Sequence, residues 1–141
     1  MKLKLLRYLF LTDGAVLALL GALLIFAPKQ IEAAFGFRDL PQAVNYLVGL
    51  WGCGLGTLAI GYVVAAANPV RHRIWALVGI ARGALECVLG LIYFGQGIVT
   101  FQQAGLGIIL AAVMTIAYLA LYPRKPRVAG EAEARQAGAA A

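Results

Sequence analysis

Long apolar stretches separated by short polar breaks set the layout of this chain. The breaks fall at Pro28, Pro41, Asn68-Pro69, Gly95-Gln96-Gly97 and Pro123, leaving four apolar runs. Each run has roughly the 20 residues that a helix needs to cross the hydrocarbon core of a bilayer. The pattern predicts helices over about 8–26, 44–67, 74–94 and 101–122, with ends set to within about 3 residues. The fold class expected is all-α: a polytopic four-helix transmembrane bundle occupying 1–122. Residues 123–141 are rich in Ala, Glu and Gly without apolar periodicity and read as a disordered cytoplasmic tail. Between the first two runs, Ile31, Ala34, Phe35 and Phe37 form an apolar set suited to a short turn or helix lying in the membrane interface.

Small residues recur along each run at intervals that place them on one helix face. The first carries Gly14, Ala18 and Ala22, with Gly21 two turns beyond Gly14. The second holds Gly49, Gly52, Cys53, Gly54, Gly56 and Gly61, including a Gly52-x-x-x-Gly56 spacing. Gly79, Gly83, Cys87 and Gly90 mark the third, and Gly107, Ala111 and Thr115 the fourth. In lipid such faces let helix backbones approach closely, so packing is the reading for all of them.

Three ionisable residues interrupt the apolar runs: Asp13 in the first, Arg82 and Glu86 in the third. Their surroundings repeat. Asp13-Gly14-Ala15-Val16 matches Arg82-Gly83-Ala84-Leu85, and the alignment extends to Leu20 with Leu89 and Gly21 with Gly90. Thr57-Leu58-Ala59-Ile60-Gly61-Tyr62 matches Val113-Met114-Thr115-Ile116-Ala117-Tyr118 more weakly. The pattern reads as a duplicated helical hairpin with a pseudo-axis along the membrane normal. At 1.5 Å per residue, Asp13 lies about 9 Å beyond Arg7 and Arg82 about 13 Å beyond Arg73. Helical side chains lean toward the helix N-terminus, so a direct Asp13–Arg82 ion pair is expected. Glu86, one turn further, would let the guanidinium bridge two carboxylates. Asn45, Thr57 and Tyr62 of the second run are candidate polar neighbours. Such a cluster is either a clamp that fixes helix register or a proton-coupled or polar-ligand site. Beyond Glu86 only Tyr93, Gln96, Gln102 and Gln103 could continue a proton route, which favours the clamp.

The net charge of +6 would suit nucleic acid if it lay on a folded polar face, but here it marks helix ends. Lys2, Lys4, Arg7, Arg71, Arg73, Arg124, Lys125, Arg127 and Arg135 fall on one side and only Lys29 and Arg38 on the other. The positive-inside rule places both termini in the cytoplasm, and a bacterial inner membrane is the expected location. A signal peptide is the competing reading of the N-terminal run, but Asp13 breaks its apolar core and no clean cleavage site follows. Tyr8, Trp75, Tyr118 and Tyr122 at one interface, with Tyr46, Tyr93 and Phe94 at the other, read as aromatic belts. Cys53 and Cys87 are in no Cys-x-x-Cys pair and read as packing residues, while His72, between Arg71 and Arg73, reads as a solvated loop residue. No metal spacing, cofactor motif or nucleophile–base series is present, so no metal, cofactor or catalytic residue is assigned.

The early small-residue helix, Pro28, the Phe35-Gly36-Phe37 turn, the Gly-rich second helix and Arg82-x-x-x-Glu86 resemble small bacterial four-span proteins of the DoxX-like and BphX-like group. The resemblance covers about Leu9 to Tyr122 and implies a four-helix membrane fold, with no catalytic residue carried over. The function expected is that of a non-enzymatic accessory or oligomerising subunit whose partners are the lipid bilayer and a second copy or another membrane protein. A small transporter or binder of an apolar or weakly acidic molecule, using Arg82 and Glu86, is the alternative. An intramembrane enzyme is a third.

Overall fold

The computed structural model describes residues 1–37 and 41–123. Among these, five helices follow one another: α1 Lys2–Phe26, α2 Pro28–Ala34, α3 Gln42–Ala67, α4 Ile74–Gly95 and α5 Phe101–Leu121. All but α2 are long and apolar enough to cross a membrane. The chain is therefore all-helical, in the form of a four-helix bundle with one short extra helix. Arg38 and the basic tail residues Arg124, Lys125, Arg127 and Arg135 lie outside the described residues, as does the tail expected from 124 onward.

The helix ends follow local chemistry. α1 starts at Lys2 rather than near Tyr8, because Lys2, Lys4 and Arg7 are good helix formers and extend the helix beyond its apolar part. Pro28 cannot continue α1 but suits the first turn of α2, where its missing N–H has no partner to lose. Gly36, at φ 75°, turns the chain out of α2. Gly97, at φ 69°, does the same after α4. Thr100 then opens α5 with a reciprocal cap: its hydroxyl and the Gln103 side chain satisfy the first free N–H groups of the helix.

Packing divides the bundle into two hairpins. α1 lies along α3 and α4 along α5, whereas contacts between the pairs are sparse. Glycine makes the first contact close: a Cβ added to Gly21 would stand 2.8 Å from the Gly52 carbonyl oxygen. The second hairpin repeats the same positions. A Cβ on Gly14 would meet the Ala59 oxygen at 3.3 Å, and one on the aligned Gly83 would run into the Thr115 hydroxyl, Thr115 being aligned with Ala59. Gly21 faces Gly52, and the aligned Gly90 faces Ile108, with 2.6 Å left for a Cβ. Both hairpins thus use one register. Gly56 departs from the packing expected of it, since a Cβ there would meet nothing within 4 Å. It borders an apolar groove of about 450 Å³ between α1 and α3, lined also by Ala15, Ala18, Ile60 and Val63.

Candidate functional site

Where the hairpins meet, large side chains replace backbone contact. Leu6, Phe10, Tyr62, Ala65, Ala76 and Tyr118 are fully buried there. The Phe10 ring lies 5.8 Å from Tyr62 and 5.6 Å from Tyr118, whose own rings stack at 6.0 Å. Trp75 closes the group by meeting Tyr62 edge-on at 5.6 Å, its indole seated on Gly61, where no side chain competes for the space. Such aromatic pairs contribute about 0.5–1.5 kcal/mol each beyond their area. Tyr118 and Trp75 therefore do not form an interfacial belt: Tyr118 is buried in the core and Trp75 packs against it through Tyr62. Gly79 makes this possible, since a Cβ there would stand 2.5 Å from the Tyr118 ring.

The charged cluster sits on these rings. Arg82 Nη2 donates to both carboxylate oxygens of Asp13, at 2.9 Å to Oδ1 and 3.1 Å to Oδ2. The Tyr118 hydroxyl donates to Oδ2 at 2.8 Å. Asp13 is only 3% exposed. Its charge is thus neutralised and its lone pairs engaged, the condition for holding a carboxylate away from water. The geometry follows from helix direction. Asp13 and Arg82 lean toward the starts of α1 and α4, while Tyr62 and Tyr118, near the ends of α3 and α5, lean back toward them.

The duplication explains what is unequal in the cluster. Asp13 aligns with Arg82 and Tyr62 with Tyr118, so each tyrosine faces the charge borne by the other hairpin. Tyr118 finds an acceptor in Asp13. Tyr62 finds a guanidinium, which has only donors, and presents its ring instead, with Arg82 Cζ 5.7 Å from the centroid. Two buried groups remain without a hydrogen-bond partner here, the Tyr62 hydroxyl and Arg82 Nε.

Glu86 does not share the guanidinium on equal terms with Asp13. Its Oε1 stands 4.0 Å from Arg82 Nε, beyond hydrogen-bonding range, and its side chain is 45% exposed against 4% for Asp13. The expected bridge between two carboxylates is therefore lopsided. Thr57 lies outside the cluster, its hydroxyl donating to the Cys53 carbonyl at 3.0 Å on an exposed face of α3. Asn45 is near the other end of α3, about 25 Å from Tyr62 along the helix, and cannot reach it. Of the polar neighbours named from α3, only Tyr62 is at the site. Tyr118 and Phe10 were missed as members, although the alignment of Tyr62 with Tyr118 carried the signal.

The remaining reactive side chains are dispersed. Cys87 donates its Sγ–H to the Ile108 carbonyl at 3.3 Å, and Cys53 lies exposed on α3. Among the described residues, no three His, Cys, Asp or Glu side chains gather as a metal site would require. The chain matches no known family model, characterised protein or solved structure.

Proposed function

We propose that this chain is a non-enzymatic integral membrane protein that works as an accessory or oligomerising subunit, its hairpins held in register by the Asp13–Arg82–Tyr118 clamp. The clamp carries this reading. It joins elements that otherwise touch little, and the Asp13 carboxylate at its centre is held by donors from both α4 and α5. Embedding in a bacterial inner membrane, with both termini cytoplasmic, agrees with four apolar helices and the basic residues at one end of the bundle. The DoxX-like and BphX-like resemblance belongs to the same proposal and adds only the four-span fold.

The groove beside Gly56 supports association. In lipid, helices are drawn together by close packing of small residues, and Gly56, Ala15 and Ala18 leave such a surface unfilled within the single chain. Light scattering of the purified protein in mild detergent tests this. More than one copy per particle, or a stoichiometric membrane partner, reduced by Gly56→Leu, is the expected result. A strictly monomeric, partner-free protein unaffected by Gly56→Leu rejects it.

A second reading, a binder of a weakly acidic apolar molecule, is favoured by one observation. Arg82 Nε, 4.0 Å from the half-exposed Glu86, and the hydroxyl of Tyr62, whose ring lies against the same guanidinium, are buried donors with nothing to donate to.

A further inference from the structure

We propose that Arg82 Nε, the Tyr62 hydroxyl and the Glu86 carboxylate form a binding site for the hydroxyl of a lipophilic weak acid, of the phenol or undissociated carboxylic acid class, entering from the lipid face of α4. The proposal rests on the second reading above and names its ligand chemistry. It does not depend on the clamp, which uses Arg82 through Nη2 alone.

The donor and acceptor inventory selects the ligand. Arg82 Nε and the Tyr62 hydroxyl each have a proton to give, and the fully buried Tyr62 has no competing partner. Glu86 offers carboxylate oxygens and receives no hydrogen bond from Arg82. A hydroxyl oxygen can bridge Nε and Glu86, accepting from one and donating to the other, and the Tyr62 ring, 5.7 Å from the guanidinium Cζ, carries the second unpartnered donor of the cluster. An ester or ether lacks the proton for Glu86, and an alkane has neither function.

Charge narrows the class. Asp13, Arg82 and Glu86 together carry one net negative charge when ionised, so a neutral hydroxyl or acid fits where a carboxylate anion would be repelled. Size agrees. Nε and Glu86 Oε1 are 4.0 Å apart, and one oxygen at roughly 2.8 Å from each bridges that separation with a bent but workable angle. The clamp already seals one side, since Asp13 and Tyr118 satisfy each other there.

Depth argues for a lipophilic ligand rather than water. Glu86 stands about 18 Å along α4 from Ile74, around the middle of a hydrocarbon core about 30 Å thick. A carboxylate that is 45% exposed at that depth faces acyl chains. The excess negative charge of the cluster is strongly disfavoured there, so a lipid-soluble donor that reaches Glu86 is favoured over leaving its oxygens bare. The exposed Glu86 side chain stands at the entrance and is free to turn, whereas Nε and the Tyr62 hydroxyl lie sealed behind it. Apolar neighbours Leu85 and Leu89 are exposed beside Glu86 and would lie along the ligand's tail.

The test uses the full chain in phosphatidylcholine nanodiscs, titrated with 4-octylphenol and with its methyl ether. Tryptophan fluorescence is the readout, taken also in a Trp51→Phe chain so that the signal from Trp75, whose ring packs on Tyr62, is separated from that of the exposed Trp51, together with the thermal midpoint. The phenol is expected to give a saturable change and a raised midpoint, and the ether neither. Tyr62→Phe and Glu86→Met should each weaken phenol binding about tenfold, the loss of one hydrogen bond in a dry site. Equal responses to phenol and ether would show simple partitioning and overturn the proposal. So would the absence of a saturable response, or phenol binding unchanged in both variants. The phenol–ether comparison needs only the wild-type chain and stands if a variant fails to fold. Failure here leaves the clamp intact, because the clamp is read through the stability of Asp13→Asn, Arg82→Gln and the double variant, not through ligand binding.

Discussion

Neutralising Arg82 alone is expected to destabilise the bundle much more than neutralising Asp13 and Arg82 together. In Arg82→Gln the Asp13 carboxylate stays 3% exposed and keeps only the Tyr118 hydroxyl. Removing one partner of a buried pair typically costs about 3–5 kcal/mol, because the other charge is left uncompensated. Glu86 deepens the loss, since a second acid now stands near Asp13 with no cation between them. Asp13→Asn is milder, at about 1–3 kcal/mol. The amide oxygen still accepts from Arg82 and Tyr118, and Glu86, only 4.0 Å from Nε, can turn toward the freed guanidinium. The double variant removes both charges and leaves two amides able to hydrogen-bond each other. A cost of about 1–2 kcal/mol is expected, against about 4–8 kcal/mol for the two single variants added together, so the coupling energy is at least about 2 kcal/mol. Reversible unfolding in mixed detergent, followed by far-ultraviolet circular dichroism, measures all four corners of the cycle. Additive single-variant costs, within about 0.5 kcal/mol, would refute the clamp.

Two further pairs of variants ask whether position rather than residue type sets the effect. Tyr118→Phe should cost about 1–2 kcal/mol by removing a donor to a buried carboxylate, whereas Tyr62→Phe, losing an unpartnered hydroxyl, should be nearly neutral in the same unfolding assay. Equal costs would mean that the aromatic stack, and not Asp13, is the reason for these hydroxyls. Gly21→Ala should cost about 1–3 kcal/mol, because its Cβ would stand 2.8 Å from the Gly52 oxygen and force α1 from α3. Gly56→Ala, with open space at its Cβ, should be neutral or slightly stabilising in a dilute monomeric preparation. A shared gain at both glycines would show that helix propensity, not close approach, governs them.

Much of this protein was legible along the chain because the bilayer restricts the choices. Without water to satisfy a free backbone, an apolar run of sufficient length has to be helical, so Pro28, Pro41, Asn68-Pro69, Gly95-Gln96-Gly97 and Pro123 are enough to divide the molecule. The pairing of Asp13 with Arg82 was readable for a related reason: two opposite charges at similar depth in an apolar medium have strong cause to meet. Other features depend on distance and direction across helices, which periodicity does not encode. Tyr118 reads as an interfacial tyrosine by its place near a helix end, yet the lean of its side chain and the space over Gly79 bring its hydroxyl to Asp13. Gly52 and Gly56 look alike in their spacing, but only the contact between α1 and α3 shows that one is enclosed and the other open. The inequality between Asp13 and Glu86 is likewise tertiary. Both are acids beside one arginine, and which of them is held is decided by the side of the guanidinium that faces the first hairpin.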